Sequence, residues 1–211
     1  MDKFYHINIA GLERDLPICP INENLYIAGF VMFSDVEMTV RCAEELLKKA
    51  PEHDLIITAE SKGIPLAYEM AKQEGKNYIL ARKGLKAYMV DPVKVEVKSI
   101  TTAKVQTLYL DKFDIDRMKG KRILIVDDVI STGESLHAIE ELVRIAGGQI
   151  VGRMAVLAEG DDVEVLAAEH AEQLLLETAV RTLVQVGERR GDARLEAHVA
   201  EVLVEHKVEI L

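Results

Sequence analysis

Residues 123–135 read ILIVDDVISTGES. Four apolar residues, Ile123 to Val126, run into two adjacent aspartates. The chain then opens an amphipathic stretch, GESLHAIEELVRIAGG (133–148), with helical spacing and a Gly-Gly stop. A strand–turn–helix unit of this kind suits a parallel α/β sheet, in which ligands bind at the carboxyl ends of the strands. Asp127 and Asp128 fall at that end. The turn behind them offers backbone N–H groups and a positive helix terminus, which suit a phosphate group. Gly133 permits close approach, and the hydroxyls of Ser131, Thr132 and Ser135 add donors. The two carboxylates would repel phosphate, so sugar hydroxyls or a cation are their natural partners. A capped helix after a buried strand explains a single aspartate here. It does not account for Asp-Asp followed by S-T-G-x-S.

The surrounding chain alternates in the same way. AEELLKKA (43–50) has helical spacing and leads into DLIITAE (54–60), a short apolar strand. GIPLAYEMAKQEG (63–75) predicts a helix stopped by Gly75. NYILARK (77–83), KRILIVDD (121–128) and QIVGRMAVLAE (149–159) predict further strands, and residues 84–107 read as a long irregular stretch. Continuous apolar strands alternating with helices predict an α/β fold, a mostly parallel sheet covered on both faces.

Composition bounds the rest. The 211 residues are 49% hydrophobic and carry a net charge of −10, which argues against a broad grip on nucleic acid. An anionic ligand would be held by local N–H groups, a few lysines or a metal ion. No apolar run approaches the ~20 residues needed to span a bilayer, and the first residues do not resemble a secretory signal. Cys19 and Cys42 lack metal-ligand or disulfide spacing, consistent with free thiols in a cytoplasmic protein. All five prolines, all seven methionines and both cysteines precede residue 161, whereas 162–211 is rich in Ala, Val, Leu, Glu and Arg. We expect a domain over 1–161 and a C-terminal segment over 162–211 that is largely helical. VLVEHKVEIL (202–211) alternates well enough to be a strand instead.

The run VDDVISTGES resembles the phosphoribosyl pyrophosphate (PRPP) motif of type I phosphoribosyltransferases, and the likeness covers roughly residues 10–160. It implies that Asp127 and Asp128 hold the ribose hydroxyls, as the central catalytic carboxylates. It assigns Ser131, Thr132, Gly133, Glu134 and Ser135 to the 5′-phosphate loop. Glu134 departs from the small residue often found there, so its amide would serve while its side chain points away. TAESKGIP (58–65) resembles the E-S-R/K-G pyrophosphate turn of the purine members, which often carries a non-prolyl cis peptide. Glu60, Ser61, Lys62 and Gly63 are the matching positions. ARK (81–83) resembles the basic strand end that neutralises pyrophosphate, with Lys83 the first candidate and Arg82 the second.

By the same resemblance, residues 84–107 correspond to a mobile lid that excludes water during transfer, and Lys86, Tyr88 and Lys104 are candidates to reach substrate. LYLDKFDID (108–116) partly matches the L-E-Y-G region of adenine phosphoribosyltransferases. That match puts Asp111 where a carboxylate assists proton transfer at the base; a surface aspartate explains it equally well. Residues 1–35 correspond to a hood, with FSD (33–35) in place of F-R-D. There Phe33 can stack on a purine, with Phe30 as the alternative or either as a core aromatic.

The implied reaction replaces the pyrophosphate of PRPP with a purine nitrogen, adenine favoured, with Mg²⁺ carried by PRPP rather than by protein ligands. A 6-oxopurine or pyrimidine base is the neighbouring alternative. Homodimerisation or a larger homo-oligomer is expected. A PRPP-sensing regulator is the rival class; VQTLYLDKFDIDRMKGKRILIVDD is reminiscent of purine-operon repressors. Those carry a DNA-binding segment ahead of this domain, and the short stretch ahead of it here has no helix-turn-helix signal and no basic patch.

Overall fold

The structure is a computed structural model, and it describes residues 4–20, 26–98, 105–130, 134–158 and 208–210. In chain order come β1 (Phe4–Ile9), β2 (Leu12–Pro20), β3 (Tyr26–Ala28), α1 (Val36–Lys49), β4 (Leu55–Ala59), α2 (Ile64–Glu74) and β5 (Tyr78–Ala81). Then follow β6 (Val93–Lys98), β7 (Val105–Leu110), α3 (Lys112–Met118), β8 (Arg122–Ile130), α4 (Glu134–Ala146), β9 (Gln149–Ala158) and β10 (Val208–Ile210).

The central sheet has the order β10-β9-β8-β4-β5, and each neighbouring pair is parallel. Its strands are apolar on both sides because both faces are covered. On β8, Ile123 and Ile125 join one core with α4, β6 and β7. The alternate residues Leu124 and Val126 join the other, with α1, α2 and the N-terminal strands. Period-two side-chain alternation thus divides a continuous apolar run between two cores. Every buried leucine or isoleucine so placed contributes roughly 1.5–3 kcal/mol.

Local signals set the helix ends. Asp35 caps α1, its Oδ1 accepting from Met38 N at 3.0 Å. Arg14 of β2 grips the same carboxylate, with Nε 2.7 Å from Oδ2 and Nη2 3.2 Å from Oδ1, and so ties the hood to α1. That guanidinium holds the Asp35 carboxyl below its ordinary value. α2 begins with Pro65 in its first turn and ends at Gly75, whose φ of 66° makes a left-handed cap.

Three expectations change, and the hood gains an architecture that the sequence reading did not specify. Residues 84–107 are not irregular throughout: β6 pairs antiparallel with β7, from Val93↔Leu110 to Lys98↔Val105. VKVEVK alternates, and its Val95 is buried in the α4 core. β8 runs on to Ile130, two residues past the predicted end at Asp128, so the aspartates lie within the strand rather than at its last positions. The hood is an antiparallel sheet of order β1-β2-β3. Residues 208–210 are strand, along the β9 edge; the helical expectation does not hold there, and the alternation in VLVEHKVEIL does. The rest of 162–211 lies outside the described residues, as do Ser131, Thr132, Gly133 and Lys104.

Candidate active site

The site gathers at the carboxyl ends of β4, β5 and β8. At its centre is the carboxylate pair. Asp128 is 4% exposed, and its Oδ2 is buried with no hydrogen-bond partner among the described residues. Lys62 Nζ stands 3.6 Å from that oxygen, too far for a hydrogen bond but close enough to share charge. Asp127 Oδ1 accepts from Asp128 N at 2.9 Å. The Asp127 carboxyl is pushed up to about 7, first by burial and then by the Asp128 charge; Lys83 draws it back down. A buried carboxylate oxygen without a hydrogen bond costs free energy. A hydroxyl donor delivered by a ligand would remove that cost.

Beside the pair, β4 ends in the turn Glu60–Gly63, and the Glu60–Ser61 peptide bond is cis. Gly63 is pressed against the pair. A Cβ there would meet Thr58 Oγ1 at 2.4 Å and Asp127 Oδ1 at 2.7 Å. Thr58 is fully buried, and its Oγ1 has no partner among the described residues.

The two basic candidates at the end of β5 part company. Arg82 is engaged: its Nη2 pairs with Glu60 Oε1 at 3.3 Å, and its backbone exchanges two hydrogen bonds with Tyr109. Lys83 is exposed, and among the described residues its side chain has neither an ion pair nor a hydrogen bond, while its charge is felt at Asp127. Lys83 is therefore the cation available to an incoming anion. Nothing in ARK distinguishes the two; the approach of Glu60 to the Arg82 guanidinium is a tertiary feature.

The remaining candidates scatter. Phe33 is 46% exposed, while Phe30, at 5%, is packed in the hood core. Asp111 caps α3, its Oδ1 accepting from Phe113 N at 2.6 Å and its Oδ2 from Val90 N at 3.3 Å. That carboxylate anchors the base of the β6–β7 ribbon. Lys86 stands 3.9 Å from Glu60, and Tyr88 is exposed. α4 begins at Glu134, the residue that follows S-T-G in the sequence. Sequence reading passed over Thr58; an apolar strand that ends in a threonine beside a glycine turn was the available signal.

A family model described as the phosphoribosyl transferase domain matches residues 38–198, so the chain belongs to that family. The matched span runs beyond the composition change at residue 161. The hypoxanthine/guanine phosphoribosyltransferase of Methanothrix soehngenii is 31% identical over 134 residues, 64% of this chain and 66% of that one. The chain thus spans just under two thirds of that relative's length. The adenine phosphoribosyltransferase of Petrotoga mobilis is 34% identical over 156 residues, 72% of this chain and 86% of that one. Among solved structures, the adenine phosphoribosyltransferase of Saccharomyces cerevisiae aligns with a TM-score of 0.58 at 18% identity, covering 80% of this chain and 90% of that one. That likeness speaks for the fold.

Proposed function

We propose that this chain is a PRPP-dependent purine phosphoribosyltransferase, which moves the 5-phosphoribosyl group to a purine nitrogen and releases pyrophosphate. The observation that carries the reading is the Asp127–Asp128 pair, half-buried Asp127 beside buried Asp128, whose Oδ2 makes no hydrogen bond among the described residues, facing the Glu60–Gly63 turn and Lys83. Carboxylates of this kind suit ribose hydroxyls, and the lysines suit the leaving pyrophosphate. Relatives named for adenine and for hypoxanthine/guanine both support a purine.

In this reading, the Asp pair orients the ribose while Lys62 and Lys83 take up charge developing on pyrophosphate. Residues 131–135 hold the 5′-phosphate. Phe33, exposed at the hood, stacks on the base, and Asp111 acts through the ribbon it anchors. Mg²⁺ bound by pyrophosphate and ribose oxygens would help to neutralise the leaving group. Among the described residues no group of three or more His, Cys, Asp or Glu is placed to hold a metal. An ion carried chiefly by substrate needs few protein ligands, and Asp128 Oδ2, which makes no hydrogen bond among the described residues, would be one of them. The enzyme is read as a cytoplasmic homodimer or larger assembly, which light scattering would measure. No helix among the described residues is long and apolar enough to cross a membrane.

The test is transfer from PRPP to a panel of adenine, hypoxanthine, guanine, xanthine, orotate and uracil. Turnover on purines, greatest with adenine, is expected; PRPP binding without turnover on any base would replace this reading with a sensor. The division of labour at β5 adds a prediction. Lys83→Met is expected to raise KM for PRPP about tenfold with little change in melting temperature. Arg82→Met should instead lower the melting temperature, because it leaves Glu60 without its closest cation. Equal effects of the two substitutions on KM would remove the distinction.

A further inference from the structure

We infer that Glu60 is a counter-charge that limits how tightly the turn holds pyrophosphate, a positioning residue and not a ligand. This rests on the proposed reading of the turn as a pyrophosphate site. A carboxylate repels an anion, so its presence in such a turn needs a reason. Glu60 Oε2 accepts from Lys83 N at 2.9 Å, and its Oε1 lies 3.3 Å from Arg82 Nη2 and 3.9 Å from Lys86 Nζ. The Glu60 side chain is 23% exposed, sheltered enough for these charges to matter. Four basic side chains surround the turn: Lys62, Arg82, Lys83 and Lys86. Glu60 occupies two of them, and Lys62 is shared with Asp128 at 3.6 Å. Among the described residues, Lys83 alone of the four is left uncommitted.

Full commitment of all four cations would bind the product as strongly as the substrate. Uniform tightening of that kind does not speed the chemical step, and it slows release, which limits turnover in many enzymes. The two cations held by Glu60 differ in freedom. Arg82 is pinned through its backbone to Tyr109 at 2.9 and 2.8 Å. Lys86 sits beyond the end of β5, on the chain entering the β6–β7 ribbon, so its ammonium is the one that removal of the Glu60 charge would release toward an anion.

The experiment is calorimetric titration of magnesium pyrophosphate into the full chain and its variants, with kcat measured alongside. Glu60→Gln keeps an acceptor for Lys83 N and removes the charge. It is expected to bind pyrophosphate about tenfold more tightly and to turn over more slowly. Adding Lys86→Gln to that variant should cancel most of the gain. Lys86→Gln alone should change affinity less than threefold, since its charge is already spent, and it remains informative if Glu60→Gln does not fold. Unchanged or weaker binding by Glu60→Gln, or a large loss in Lys86→Gln alone, overturns the inference. If the unaltered chain does not bind pyrophosphate at all, the site reading falls first and the inference with it.

Discussion

Replacing Asp127 and Asp128 together by asparagine is expected to lower kcat/KM for PRPP by about 10²–10⁴-fold while the chain stays folded. Each carboxylate would supply a charge-assisted hydrogen bond worth roughly 1.5–3 kcal/mol, and an amide can accept from a hydroxyl only as a neutral group. Far-ultraviolet circular dichroism and a melting curve establish folding, and steady-state kinetics at saturating adenine read the loss. Turnover within threefold of the parent would remove the pair from the site.

The fold should tolerate this change because the pair costs the fold free energy. The Asp127 carboxyl is raised from 3.8 to about 7 by burial and by Asp128. A carboxyl whose folded value exceeds its unfolded one leaves the folded state holding more protons, so stability falls as pH rises between the two values. The loss begins near pH 4 and is complete above about pH 7. Asp127→Asn alone should therefore stabilise the protein by about 2–4 kcal/mol at pH 8 and hardly at all at pH 4. Activity runs the other way. The ionised carboxylate is the better acceptor, so kcat/KM for PRPP should climb through about pH 7 in the parent and lose that step in Asp127→Asn. A melting temperature of Asp127→Asn that matches the parent at both pH values would show that the pair costs nothing.

The parts of this fold that were legible in the sequence are those whose signal is local. Apolar runs such as Leu55–Ala59 and Ile123–Val126 announce strands buried on both faces, and Gly75 announces the end of α2. The parts that were not legible mix two signals. In Val93–Lys98 the alternating lysines and glutamate disguise a strand as a charged loop. In β8 the carboxylates of Asp127 and Asp128 interrupt an apolar pattern that the backbone continues to Ile130. α3, seven residues long, is too short for periodicity to declare, and its cap, Asp111, doubles as a plausible catalytic acid. The site shows the same limit. Motif spacing brings Lys62, Lys83 and the aspartates into one neighbourhood, but which cations are already spent depends on contacts such as Arg82 with Glu60. The need for Gly63 depends on the fold in the same way, since the atoms it must avoid belong to two different strands.

Gly63→Ala is expected to cost about 1–3 kcal/mol of stability and about 10²-fold in kcat/KM. The backbone there, with φ −71° and ψ −10°, is one that alanine adopts freely, so conformational preference contributes little. The cost is space. The new methyl would sit 2.4 Å from Thr58 Oγ1, 2.7 Å from Asp127 Oδ1 and 3.3 Å from Asp127 Cα. Thr58 belongs to a buried strand and cannot retreat, whereas the Asp127 carboxylate can rotate, so the displacement falls mainly on the group that would hold ribose. Thr58→Ala in the same chain removes the closest contact and should restore most of the melting temperature. It leaves the Asp127 contact in place, so the loss in kcat/KM should persist. Recovery of both together would mean that the methyl acts only through general packing. Recovery of stability alone would tie the glycine to the placement of Asp127, and through it to the geometry in which PRPP is held.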